Sequence, residues 1–141
     1  MWKVLLAVDG SENALHAVAH SIKRGAAAKT EYLVHLVNVQ HPLHGGISSF
    51  IDAGQIKQYH QEEGMKALAG ARRMLDEAGV PYQYHLFVGE PAEVIARYAR
   101  EQACDEIIVG THGQSGLSSL FMGSVSTKIV HLSDVPVLLV K

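Results

Sequence analysis

Short apolar runs alternate with helix-period segments along the whole chain, and that alternation leaves few folds open. "KVLLAV", residues 3–8, is a nearly continuous apolar run stopped by "DGS", the pattern of a strand buried on both faces. Ser11 stands where it caps a helix whose apolar residues Leu15, Val18, Ile22 and Ala26 recur at helical spacing. "YLVHLVNV" is β-branched and aromatic, a second strand. Residues 41–54 carry Pro, three Gly and no period, and read as a mobile loop. A long helix follows from Gln55 to about Ala78, with Leu68, Ala71, Leu75 and Ala78 on one face. Gly79 ends it and Pro81 follows.

In "VPYQYHLFVG" the alternation of Val80, Tyr82, Tyr84, Leu86 and Val88 against Gln83 and His85 predicts an edge strand with one face partly wet. A third helix runs from Pro91 to about Ala103, with Val94, Ile95, Tyr98 and Gln102 on a face. "DEIIVG" is the fourth strand, "SVSTKIVHLS" the last helix and "VPVLLV" the fifth strand. Five strands alternating with four helices predict an α/β fold: one doubly wound five-stranded parallel sheet with helices on both faces. With strand order 3-2-1-4-5, the order reverses between strands one and four, where such sheets bind ligands. The 141 residues suit one domain, and no repeat or linker divides residues 1–141.

The segments leaving strands one and four are "DGSE" and "GTHGQSGLSSLFMGSVS". The second is glycine-rich and runs into a helix start, where free N–H groups and the positive end of the helix dipole suit phosphate. Glycines there permit positive φ and close approach of a ligand to the backbone. The amides of Ser124, Val125 and Ser126 begin that helix, and Ser124 and Ser126 bring hydroxyls that serve equally as caps. No G-x-x-x-x-G-K-[ST] and no G-x-G-x-x-G is present, so the usual P-loop and dinucleotide sites are excluded.

The spacing Gly110-x2-Gly113-x9-Gly123-Ser124 resembles the nucleotide-binding pattern of the universal stress protein family, in the branch that binds ATP. "KVLLAVDGSENALHAVAHSI", "GEPAEVIARYA", "DEIIVGTHGQSGLSSLFMGSVS" and "VPVLLV" are similar to that family in order and spacing across essentially the whole chain. The resemblance implies a Rossmann-like fold of the adenine nucleotide alpha hydrolase-like kind. It also implies an ATP or AMP site in which Asp9 lies near the nucleoside and the Val39 backbone contacts adenine. Gly110 takes the ribose side, and Gly113, Gly123, Ser124, Val125 and Ser126 take the phosphates. His112 sits inside the motif, to touch phosphate or to shape the loop. The insert between Gly113 and Gly123 has room to arch over the phosphates.

Other chemistry is weaker on the page. His16 and His20 share a helix face without H-E-x-x-H or an acidic partner, so no protein metal site is expected. Mg2+ or Mn2+ held through nucleotide phosphates fits better. His35 and His85 are expected to be satisfied strand residues, and the single cysteine, Cys104, a buried thiol. Leu117, Leu120, Phe121 and Met122 read as local packing. With no lysine, arginine finger or base in the motif, catalytic residues are not assigned.

The expected role is a nucleotide-binding stress-response regulator. The alternatives are a slow metal-dependent ATP hydrolase or phosphotransferase, and a nucleotide-independent interaction module working through residues 41–54. The formal charge of −2 gives nucleic acid no foothold. The lack of a run of about 20 apolar residues excludes a membrane helix, and the cytoplasm is the expected compartment. An apolar last strand, with Val135 and Val140 at its ends, would pair with its copy in a homodimer of the kind the family forms, to which an unidentified protein partner would dock.

Overall fold

The computed structural model describes residues 1–43, 51–113 and 122–141. The elements run β1 (Trp2–Ala7), α1 (Glu12–Ala27), β2 (Tyr32–Gln40), α2 (Ala53–Ala78), β3 (Tyr82–Val88), α3 (Pro91–Glu101), β4 (Glu106–Gly110), α4 (Ser124–Leu132) and β5 (Val137–Val140). All strand pairs are parallel, in the order β3-β2-β1-β4-β5. The expected topology is therefore present, with the reversal between β1 and β4. No helix among the described residues is long and apolar enough to cross a membrane.

The continuous apolar runs are explained by burial on both sides. Val4, Leu6, Val34, Leu36 and Ile108 face α1 and α2, while Leu5, Ala7, Val37, Ile107 and Val109 face α3 and α4. Side chains alternate across a strand, so each central strand feeds both cores. Cys104 joins the second core, and burial pushes its thiol up to about 11.

Helix ends follow local chemistry. The Ser11 hydroxyl accepts from the Ala14 amide, as expected of a cap. For α2 the cap is Asp52, in a reciprocal box with Gln55, so this helix starts two residues before the predicted position. Gly79 closes it in the left-handed region, φ 67°, which glycine enters without a Cβ penalty. Three residues assigned to inner faces are exposed: Ala26, Ala78 and Gln102. Each lies at the C-terminal end of its helix or just past it; α2, with 26 residues, extends about 39 Å. Residues 44–50, half of the expected mobile loop, and residues 114–121, with Leu117, Leu120 and Phe121, lie outside the described residues.

His35 and His85 stack across β2 and β3 at 5.9 Å, with the Tyr98 hydroxyl 3.4 Å from His35 Nδ1. His85 Nε2 is buried without a hydrogen-bond partner among the described residues, which corrects the expectation that both rings are satisfied. The His35 pKa is lowered, chiefly by burial, with His85 and then Lys3 adding repulsion; burial alone lowers His85. The fold thus prefers both rings neutral, whereas the unfolded chain protonates them from about pH 6.5 downward. Their contribution to stability is full above that pH and lost as the pH falls below it. The urea midpoint is expected to be lower at about pH 5 than at about pH 7.5, and His85→Gln to shrink the difference. An identical pH dependence in His85→Gln would remove His85 from the account.

Candidate functional site at the strand-order reversal

At the carboxyl ends of β1 and β4 the chain opens a cavity of about 380 Å³. Its wall contains every residue expected there from sequence: Asp9, Val39, Gly110, His112, Gly113, Gly123, Ser124, Val125 and Ser126. They come from four places. Asp9 follows β1, Val39 is near the end of β2, Gly110 to Gly113 leave β4, and Gly123 to Ser126 open α4.

Gly123 caps α4 with no side-chain hydrogen bond, and the first intrahelical bond is Thr127 N–H to Gly123 O, 3.1 Å. The amides of Ser124, Val125 and Ser126 precede that bond, so the helix leaves them without an internal acceptor. Ser124 is exposed, but Ser126 is buried and its hydroxyl donates to Gly110 O at 2.8 Å. That hydroxyl therefore ties α4 to the end of β4, and Ser126 offers the cavity its backbone.

The exit of β4 is held from both sides. Gly123 N–H donates to Thr111 O at 2.6 Å, and the His112 amide donates to Asn13 Oδ1 at 2.8 Å. The Thr111 hydroxyl and His112 Nδ1 lie 2.8 Å apart. Asp9 Oδ1 accepts from the Ser11 amide at 3.0 Å. A Cβ on Gly113 would stand 2.8 Å from Asp9 Oδ2, and one on Gly110 would collide with Asn13 Oδ1. Neither glycine has positive φ; among the described glycines only Gly10 and Gly79 do. These glycines serve close approach, not a left-handed turn.

Sequence reasoning missed Asn13, Asn38, Gln40 and Pro91, of which the last three line the cavity. The one local signal was Asn38, a polar residue of low β propensity inside an apolar strand. Lys128, inside α4, pairs with Glu90 at 3.5 Å. Among the described residues no three His, Cys, Asp or Glu gather as a metal site.

The model of the universal stress protein family matches residues 1–141. The chain belongs to this family. The universal stress protein YxiE of Bacillus subtilis is 36% identical over 154 residues, covering 99% of this chain and 98% of its own. The solved structure of the universal stress protein MJ0577 of Methanocaldococcus jannaschii superposes with a TM-score of 0.84 at 28% identity, covering 99% of this chain and 94% of that one. A universal stress protein family protein of Arabidopsis thaliana, solved with AMP bound, shares the fold at a TM-score of 0.70 and 19% identity, covering 100% and 92% of the two chains. The same fold occurs in universal stress protein complexes with cAMP and dAMP, at TM-scores of 0.71 and 0.67.

Proposed function

We propose that this universal stress protein binds an adenine nucleotide, ATP or AMP, in the cavity between β1 and β4, and that occupancy regulates a protein partner. One observation carries the reading: the nine residues that the family resemblance implies for the nucleotide, spread from Asp9 to Ser126, meet in one wall. Their parts fit the ligand. The amides of Ser124 to Ser126 point the positive helix end at phosphates, and the Asp9 carboxylate accepts from ribose hydroxyls. Gly110 and Gly113 let the backbone close on them. Solved relatives of the same fold hold AMP, dAMP and cAMP, which supports the ligand class.

Binding, not turnover, is the reading the side chains favour. No lysine or arginine is among the described residues of the wall, and Lys128 is paired with Glu90. Mg2+ or Mn2+ would be held by phosphate oxygens and water, with the amides taking the remaining charge.

Titration calorimetry with ATP and with AMP tests the proposal. A dissociation constant below about 1 mM, worth about 4 kcal/mol, is expected for at least one; none below that value would refute it. The nucleotide released on denaturing the purified protein would name the resident ligand.

We further propose a cytoplasmic homodimer through the outer edge of β5. This strand closes the sheet, its four residues are half-buried, and Val130 and Leu132 of α4 are exposed. Light scattering at micromolar concentration should return twice the chain mass of 15.3 kDa; a monomeric mass would contradict the dimer.

A further inference from the structure

Val39 lines the cavity, and its neighbour Asn38 reaches across to β1 with its side chain. In β2, Val34 N–H and Gln40 C=O bond on the β3 side, to Pro81 O and from Gly89 N–H. Val37 C=O bonds on the β1 side, accepting from Val8 N–H at 2.9 Å. Alternation therefore turns the N–H and C=O of Val39 toward β1 as well. The next rung of that ladder would be Val39 N–H to Val8 O. Asn38 Nδ2 occupies Val8 O instead, at 2.9 Å, and Gln40 Nε2 donates to Asn38 Oδ1 at 2.7 Å. Asn38 is 2% exposed, so this amide is locked, with its donor on the carbonyl and its acceptor on Gln40. Beyond Val8 the chain turns away through Gly10, φ 86°.

We propose that Asn38, held by Gln40, is a positioning and specificity residue: it ends the β1–β2 ladder one rung early and leaves the Val39 N–H and C=O as a reading edge for 6-aminopurines. The proposal rests on the nucleotide reading given above. A donor beside an acceptor matches the N1 acceptor and the 6-amino donor of adenine. Hypoxanthine and guanine carry N1–H and O6, which set donor against donor and acceptor against acceptor. Such mismatched buried groups lose their hydrogen bonds to water without replacement. Without the Asn38 amide, Val8 O is open to Val39 N–H, the rung forms, and the donor half of the edge is consumed.

The probes are ATP and ITP, which differ at the six-position and N1 alone, titrated against the wild type, Asn38→Ala and Gln40→Leu. Wild type should prefer ATP by about tenfold, the loss of one well-made bond pair. In Asn38→Ala the ATP affinity should fall by about tenfold and the preference to about twofold, with Gln40→Leu intermediate. Gln40 is half-exposed, so its variant decides the matter if Asn38→Ala fails to fold. Amide exchange adds a readout that needs no ligand: Val39 N–H should exchange fast in the free wild type and become protected in Asn38→Ala.

The failures are separable. A wild type that binds none of ATP, ITP and AMP refutes the functional reading, while the exchange result still judges Asn38. A wild type that binds ATP and ITP equally overturns the reading edge. Unchanged preference and unchanged Val39 exchange in both variants overturn the positioning role.

Discussion

Gly110→Val should leave the protein without measurable nucleotide affinity, a loss of at least about 100-fold, equivalent to about 2.7 kcal/mol. Gly110 is buried at the end of β4, and a Cβ there runs into Asn13 Oδ1, with the Asn13 backbone oxygen only 3.2 Å away. That side-chain oxygen is also the acceptor for the His112 amide. A valine must therefore push away the group that holds the start of the glycine segment. Overpacking of this kind costs about 1–3 kcal/mol of stability, so the variant is expected to fold with a lower urea midpoint. Gly110→Ala should show both effects in weaker form, and adding Asn13→Ala should return part of the stability, because the obstructing amide is gone. A folded Gly110→Val that binds ATP as the wild type does would show that close approach at this glycine is irrelevant to the ligand.

Arg24→Ala should cost about 2 kcal/mol of stability and leave nucleotide affinity within about twofold. Glu106 opens β4 at the end of the sheet away from the cavity, and its side chain is 8% exposed. One oxygen, Oε1, accepts from Arg24 Nη2 at 2.8 Å, Arg24 Nε at 3.1 Å and Trp2 Nε1 at 3.2 Å. Breaking a fully buried pair from one side costs about 3–5 kcal/mol because the remaining charge has lost its partner. Arg24 is 39% exposed, so water replaces part of what it gave, which lowers the figure. Replacing both ends with apolar residues, Arg24→Met with Glu106→Leu, should cost less than Arg24→Ala alone. Urea unfolding and calorimetry on the same preparations separate the two properties. A midpoint unchanged in Arg24→Ala would mean that the carboxylate does not depend on the guanidinium.

The sequence carried the architecture because the signals for it are local. Apolar runs such as residues 3–8 declare double-sided burial, Ser11 and Gly79 mark helix ends, and the x2 and x9 spacings place four glycine-motif positions at one loop. The misread positions needed information from afar. Ala26, Ala78 and Gln102 keep the helical period at the C-terminal ends of their helices, where the period no longer marks a buried face. Asn13 looked like an ordinary polar residue in a first helical turn; its partner is 99 residues away. Ser126 read as a hydroxyl donor for a ligand, yet its bond goes to Gly110 O, 16 residues back. Side-chain bonds across the sheet end depend on register, which spacing within one segment does not encode.

The burial of Cys104 bears on how this protein behaves under oxidative conditions. A thiol held near 11 is almost wholly protonated at neutral pH, and the thiolate is the form that peroxides and alkylating reagents attack. The single sulfhydryl of the chain is therefore quiet while the core is closed. It becomes reactive when the core that Cys104 shares with α3 and α4 opens. The rate at which a thiol reagent labels the native protein consequently measures how often that core breathes, without any introduced label.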